Sequence, residues 1–498
     1  MKTSAWNQAA PRHYMTVVLC FPVHRDKTDR RDVTRHIQHS LERLALKRPD
    51  FGRRLLPEPG SSSRLCVQEP SAAPFIPMEE MHFAFNFGTT FAELEKNGFP
   101  PEAFVNPDFI IKDDLDKINA DAVPIPVVRL RLLYVDGGLL MFVYMHHAYG
   151  DGSCMDNFLT CLSSETLPCP KPDTVTTTKT NVDFDLGSNE AQHQDLNQLI
   201  TKCPEYALLH KPTGPTQLAL KLDKLDTASW RKTMTGKIFV IDSNKLQPVL
   251  RWLTVALGKR VSSFLAIRAL IWAHTTKARY ATEPALVDVF AHRKPNFTNP
   301  HDWHNKKLFP DNESLKHYFG NGIAIASCNL EHTGILLRAC DWKRAQETGT
   351  EPTALLEVIR AIDHANSIID EDFVLTRTAL FNALPDIRHL GVRHDARAPH
   401  TFSCNTWKFL GNNAKFYLPG NESCKDGADG QTTHGAPAMA IRRVQGEWAF
   451  PHALVLPERP GIGGGKFELL VTLPEVSMDA LEKDQDWMSL VVVNAEKN

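Results

Sequence analysis

The residues best placed to do chemistry are His146-His147-Ala148-Tyr149-Gly150-Asp151-Gly152. An imidazole with an ordinary pKa of about 6.5 is largely neutral at cellular pH and can accept a proton from a hydroxyl or amine. A positioned base of this kind contributes roughly 10²–10⁴-fold to a rate. For a thioester one base is enough, because the departing thiolate is stable, with a thiol pKa of about 8.5, and no covalent intermediate is needed. Asp151 stands four residues after His147. It could orient the imidazole through Nδ1, or point away and hold the loop by pairing with a cation. A metal site from His146, His147 and Asp151 is disfavoured, because successive strand residues point to opposite faces. Cys154 follows closely enough to suggest a nucleophile, but a packing cysteine at a helix start is the commoner case. A His-x-x-x-Asp match alone arises often by chance, so the surrounding elements must carry the argument.

Val127 to Val135 alternates, with Arg129 and Arg131 on one face and Val128, Leu130 and Leu132 on the other. Asp136-Gly137-Gly138 then predicts a tight hairpin turn. Leu139 to Met145 is apolar on both faces and reads as a central strand. After the motif, Ser153 with Asp156 suggests a capping box, and Met155, Phe158, Leu159 and Leu162 make a helix face. The motif is therefore a strand-to-helix loop after a buried hairpin strand.

Elsewhere the pattern predicts a strand at Tyr14 to Val23, a helix from Asp32 to Arg48 capped by Asp32, and short elements at Arg64 to Gln68 and Phe91 to Asn97. Residues 163–193, rich in Pro and Thr, read as a linker. A second strand–helix block begins near Lys237. Ser262 to Arg279 and Thr353 to Asp370 are helices. Ala285 to Ala291, Ile323 to Leu330, His400 to Lys408, Ala438 to Arg443, His452 to Leu456 and Lys466 to Thr472 are read as strands, and Met478 to Asp484 as a short helix.

The chain has 498 residues, 42% apolar and 23% charged, with formal net charge -2, a globular composition that suggests two to four domains. Nothing advertises a nucleic-acid partner or an anionic membrane. The ten cysteines contain no C-x-x-C pair, so neither a disulfide framework nor a zinc site is expected. No early apolar segment reads as a signal peptide, and no run approaches the ~20 residues of a membrane helix. A cytoplasmic, monomeric protein without membrane or nucleic-acid partners and without a resident cofactor or metal is the expectation.

The ordered set of fragments resembles the plant and fungal CoA-dependent acyltransferases called BAHD, most closely the fungal branch that includes trichothecene 3-O-acetyltransferases. Ser4 to Arg12 and Cys20-Phe21-Pro22 look like the opening of fungal members. His146 to Gly152 has the form of the family's His-His-x-x-x-Asp-Gly motif. Val261 to Arg279 is similar to its central helix. Arg293 with Tyr318-Phe319-Gly320-Asn321, then Ser403 to Trp407, Gly435-Ala436-Pro437, Arg442, Leu456-Pro457, Glu468 and Met478 to Leu481 follow in the family's order.

The resemblance implies an α/β fold of two similar chloramphenicol-acetyltransferase-like domains with mixed sheets flanked by helices. They would span residues 1–163 and 236–498, joined by a crossover connector at 164–235, with the active-site channel between them. It implies an O-acyltransferase that takes an acetyl group from acetyl-CoA as co-substrate to a hydroxyl of a small fungal secondary metabolite. His147 would be the general base. Asp151 would support the catalytic loop with Gly152 by pairing with Arg293. Lys259, Arg260, Ser262 and Ser263 would meet CoA, since a helix N-terminus suits phosphate. Ser403, Thr406 and Trp407 would line the channel near the oxyanion. One departure stands out: where the family has Asp-Phe-Gly-Trp-Gly, this chain reads Lys415-Phe416-Tyr417-Leu418-Pro419-Gly420. Two rivals remain, a free-standing condensation-type domain and a binding protein that kept the fold without catalysis.

Overall fold

The computed structural model describes residues 2–492, apart from 24–28, 62, 69–73, 83–86, 112–123, 169–194, 210–233, 304–317, 394–397, 422–424, 427–432 and 463. Most of the expected linker lies outside the described residues, as does most of the loop-rich stretch before Tyr318.

Two mixed sheets carry the α/β architecture. The first, in spatial order β9-β1-β4-β3-β2, comprises β1 (Tyr14–Pro22), β2 (Met78–Glu80), β3 (Val128–Val135), β4 (Gly138–His146) and a late strand, β9 (Ala440–Arg443). The second, β7-β6-β8-β10-β11-β5, comprises β5 (Met234–Asp242), β6 (Asn296–Asp302), β7 (Ile323–Asn329), β8 (Thr401–Thr406), β10 (His452–Val455) and β11 (Lys466–Pro474).

The alternating run and the apolar run form the antiparallel pair β3–β4, from Val135 opposite Gly138 to Val128 opposite Met145. Gly137 turns the hairpin at φ +79°, a conformation open to glycine. All nine residues of β4 are buried, as expected of the middle strand of five. Full burial of each large apolar side chain contributes about 1.5–3 kcal/mol, so β4 is a firm base for the loop it carries.

Helix α1 (Ala5–Ala9) precedes β1. Helix α2 (Arg30–Lys47) is capped by Asp29, one turn before the expected Asp32, through Arg31 N–H. Helix α3 (Gly152–Thr166) packs on α2. In the second half, α4 (Ser243–Leu257) is followed by α5 (Ser263–Thr282), buried nearly all round and packed on α7 (Thr353–Ser367) and α9 (Glu475–Glu482). Ala285 to Ala291 is not a strand. It lies within α6 (Pro284–His292), where proline at the first helical position suits a helix start. Strand β6 and α8 (Glu371–Ala383) escaped the pattern reading altogether.

The C-terminal part does not stay in its own sheet. β9 pairs antiparallel with β1, and Leu410, Phe416, Leu418 and Ile441 join the core of the first sheet. Phe416, in the segment that departs from the family pattern, exchanges backbone hydrogen bonds with Ala436 and packs on Phe21.

Candidate functional site

His147 follows the last residue of β4. Its main-chain N–H donates to the His13 carbonyl at 2.9 Å, extending the β1–β4 ladder by one pair. Alternation along that ladder sorts the two histidines. His146 lies opposite Tyr14, is fully buried, and takes Ala148 N–H on Nδ1 at 3.2 Å. His147 turns to the other face and keeps accessible surface.

The tautomer of His147 follows from a chain of hydrogen bonds. Asn321 N–H donates to Asn7 Oδ1 at 2.8 Å, which fixes that atom as an acceptor. Asn321 Nδ2 therefore donates to Asn7 Oδ1 at 2.8 Å and to the His147 carbonyl at 2.6 Å. Its Oδ1 is left to accept, and His147 Nδ1, 3.0 Å away, must be the donor. Nε2 then carries the lone pair. Burial holds the His147 pKa below its ordinary value, against opposing pulls from its own backbone, Asp151 and Asn321. The imidazole is neutral at neutral pH, with its basic nitrogen turned away from the bracing amide.

Asn7 and Asn321 are 314 residues apart in the sequence. Asn7 lies on α1. Asn321 lies just before β7, in a turn where Tyr318 donates its hydroxyl to the Asn321 carbonyl at 3.1 Å. Ser4, the cap of α1, touches the same tyrosine oxygen at 3.0 Å. Sequence reading found the Tyr-Phe-Gly-Asn segment but gave Asn321 no role, and it missed Asn7. A buried asparagine beside a catalytic loop carries no periodic signal.

Asp151 is fully buried and takes over the capping expected of Ser153. Its Oδ1 accepts Ser153 N–H at 3.0 Å, Cys154 N–H at 3.3 Å and the Ser153 hydroxyl at 2.7 Å. Its Oδ2 accepts Gly322 N–H at 2.8 Å. The expected partner, Arg293, is not beside it. Arg293 is exposed at the end of α6, and the Gly322 amide takes the place assigned to the guanidinium. Asp156 instead accepts Gly411 N–H at 2.7 Å, tying α3 to the C-terminal segment. Gly152 is also not the tight position, because a Cβ there would meet nothing within 4 Å. At Gly150 a Cβ would approach the Cys154 Cβ to 2.6 Å. Cys154 is buried and donates to the Gly320 carbonyl at 3.4 Å, a packing role.

The remaining expected residues are spread more widely. Ser262 caps α5 by accepting Leu265 N–H at 3.1 Å, with Ser263 next to it. Lys259 pairs with Asp363 of α7, and Arg260 is exposed. Ser403 lies opposite His452 in the parallel β8–β10 pair. Thr406 Oγ1 accepts Lys408 N–H at 3.2 Å, and Trp407 N–H donates to Val455 O at 2.8 Å. Ser403 and Thr406 lie on β8 of the second sheet, and Trp407 directly follows its end.

His13 was not foreseen. Its ring stands 6.0 Å from that of His147. It keeps solvent access, although the protein around it desolvates the ring. The enclosure, with His147 and Arg443 nearby, lowers its pKa to about 4. Among the described residues, no group of three His, Cys, Asp or Glu could hold a metal ion, and no helix is long and apolar enough to cross a membrane. Two cavities of about 480 and 410 Å³ lie away from His147, one lined by Gly411, Pro437 and Arg459, the other by Glu205, Arg377 and His400.

Comparison with known proteins follows this geometry. Residues 13–165 match the model of the trichothecene 3-O-acetyltransferase-like N-terminal domain. No curated protein sequence matches the chain significantly. Among solved structures, TRI101 of F. graminearum with coenzyme A and T-2 mycotoxin superposes with a TM-score of 0.68 at 17% identity over 98% of each chain. TRI101 of F. sporotrichioides, with coenzyme A and T-2, gives 0.66 at 18% over 99% of each. Vinorine synthase gives 0.53 at 14%, over 98% of this chain and 93% of its own. The resemblance to BAHD-type acyltransferases of the fungal branch is thus borne out: their fold spans 98–99% of the chain, and the family model covers residues 13–165, which include the histidine loop.

Proposed function

We propose that the protein is an acyl-CoA-dependent O-acyltransferase that moves an acetyl group from acetyl-CoA to a hydroxyl of a small molecule, with His147 as general base. The observation that carries the reading is the enforced tautomer of His147: Nδ1–H is held by Asn321, and Nε2 stays neutral and basic on an accessible face. The CoA- and trichothecene-bound relatives support the co-substrate and the small-molecule class of acceptor.

In this mechanism Nε2 takes the acceptor's hydroxyl proton as the oxygen attacks the thioester carbonyl. The imidazolium that forms is steadied by Asn321 Oδ1 and by the negative charge of Asp151. The tetrahedral intermediate collapses, the C–S bond breaks, and the CoA thiolate receives the proton from Nε2. The oxyanion needs donors fixed in advance, and we assign that side of the channel to Ser403, Thr406 and Trp407. Ser262, Ser263, Lys259 and Arg260, at the start of α5, are assigned to CoA. Asp151 and Gly322 hold the loop and take no proton.

The test is acetyl transfer from labelled acetyl-CoA by purified protein, and by His147→Ala, to a panel of hydroxylated small molecules. Loss of transfer in the variant, with CoA still bound, is the expected result. A variant as active as the parent would refute the assignment.

A further inference from the structure

Among the described residues, Arg443 is a cation without a counter-charge on the wall that carries His147. The register places it opposite Val17 of β1, and alternation puts both on the face of Met15, His13 and His147. At this end of the sheet, His13, Met15, Arg443 and His147 keep accessible surface, while Tyr14, Thr16, His146 and Arg442 on the opposite face are buried.

Among the described residues, the guanidinium's one hydrogen bond runs from Nη1 to His452 Nε2 at 2.7 Å. His452 Nδ1 is 2.9 Å from the Phe450 carbonyl, so the ring proton sits on Nδ1 and Nε2 accepts. The partner is therefore a neutral imidazole, whose pKa burial and Arg443 push down to about 3. No carboxylate lies within ion-pair range among the described residues. His13, the other titratable group facing it, is itself kept neutral. Enclosure lowers the Arg443 pKa to about 10, so it is charged at neutral pH. Removing a guanidinium from bulk water without pairing it is costly. The remaining N–H donors form the planar fork that suits a carboxylate.

We propose that Arg443, steadied by His452, binds a carboxylate of the acceptor, so that the alcohol acylated is a hydroxy acid. The proposal rests on the acyltransferase reading and narrows its substrate class. Val17 is four residues from His13 along β1, and β9 and β4 flank β1, so the Arg443 and His147 backbones stand roughly 16 Å apart, a span that the long arginine side chain and one small molecule together can bridge to His147 Nε2. The phosphates of CoA are separated from the thioester by the whole pantetheine arm and are too remote to fill this place.

The experiment is calorimetric binding of a set of small hydroxy acids, each as free carboxylate and as methyl ester, at neutral pH in low-chloride buffer. Wild type is expected to bind the acids at least about tenfold more tightly than the esters, and Arg443→Gln to lose that preference with ester binding unchanged. A preference that survives in Arg443→Gln, equal binding of acid and ester by wild type, or no Arg443-dependent carboxylate binding would overturn the proposal. If Arg443→Gln does not fold, Arg443→Lys keeps the charge without the fork, and a reduced but persisting preference is expected. Binding needs no turnover, so failure of the acyltransferase reading would appear separately, as intact carboxylate binding without acetyl transfer.

Discussion

Two doublets, His146-His147 and Arg442-Arg443, stand on either side of β1 in the first sheet, at the end of β4 and on β9, and each is divided in the same way. His146 and Arg442 face the packed side. Arg442 is 1% exposed, donates to the carbonyls of Gly98 and Phe99, and pairs with Glu468 at 2.9 Å. His147 and Arg443 face the accessible side, where one keeps a basic nitrogen and the other an unbalanced charge. The period of two along a strand sends adjacent identical residues to opposite faces, one into the packed interior and the other to the accessible side. Residue type alone could not have told them apart.

The division can be broken most severely at the histidines. His147→Ala is expected to lower kcat about 10²–10⁴-fold, read by acetyl transfer from labelled acetyl-CoA, while leaving the melting temperature near that of the parent. At the arginines the expectation reverses. Arg442→Gln should cost about 3–5 kcal/mol, because it leaves Glu468 buried with only Arg459 as a partner. Denaturant unfolding measures that loss, and an Arg443→Gln variant that lost as much would erase the contrast.

Smaller effects sharpen the same line. Asn321→Ala frees the His147 tautomer and leaves the imidazolium without its acceptor, about 1–3 kcal/mol of transition-state stabilisation, seen as a fall in kcat with KM for acetyl-CoA unchanged. Gly150→Ala should reduce stability by forcing contact with Cys154, whereas Gly152→Ala should be tolerated, a pair compared by thermal melting. The pH profile is the mildest probe. Because the folded pKa of His147 lies below 6.5, kcat/KM should stay level as pH falls through 6.5 and drop only below it. A limb centred above 6.5 would place the titrating group elsewhere.

Much of this was legible in the sequence, and what was not has physical reasons. Hairpin β3–β4, the loop and α3 were read nearly to their ends, because burial on both faces, an Asp-Gly turn and a helix-period stripe are local signals. The cap was misplaced on Ser153 because Asp151 had been reserved for a distant arginine. An Asp at the N-cap position can satisfy amides of the helix that follows it, and this one does so while also accepting a remote backbone amide. Ala285 to Ala291 is a short apolar run whose period does not distinguish strand from helix, and Pro284 was the overlooked cue. Asn7 with Asn321, and Arg443 with Val17, are juxtapositions across hundreds of residues, set by register and by the return of one late strand.

That late strand has a consequence for how the protein is made. The edge of β1 that receives Ala440–Arg443 is complete only after about 300 further residues have followed His146 out of the ribosome. At about 5–20 residues per second this takes roughly 15–60 s. During that interval the nascent chain holds an unpaired edge, a template for association with other strands. The N-terminal half is therefore not a self-sufficient folding unit, and its expression alone should yield aggregation-prone material that co-expression of the second half rescues.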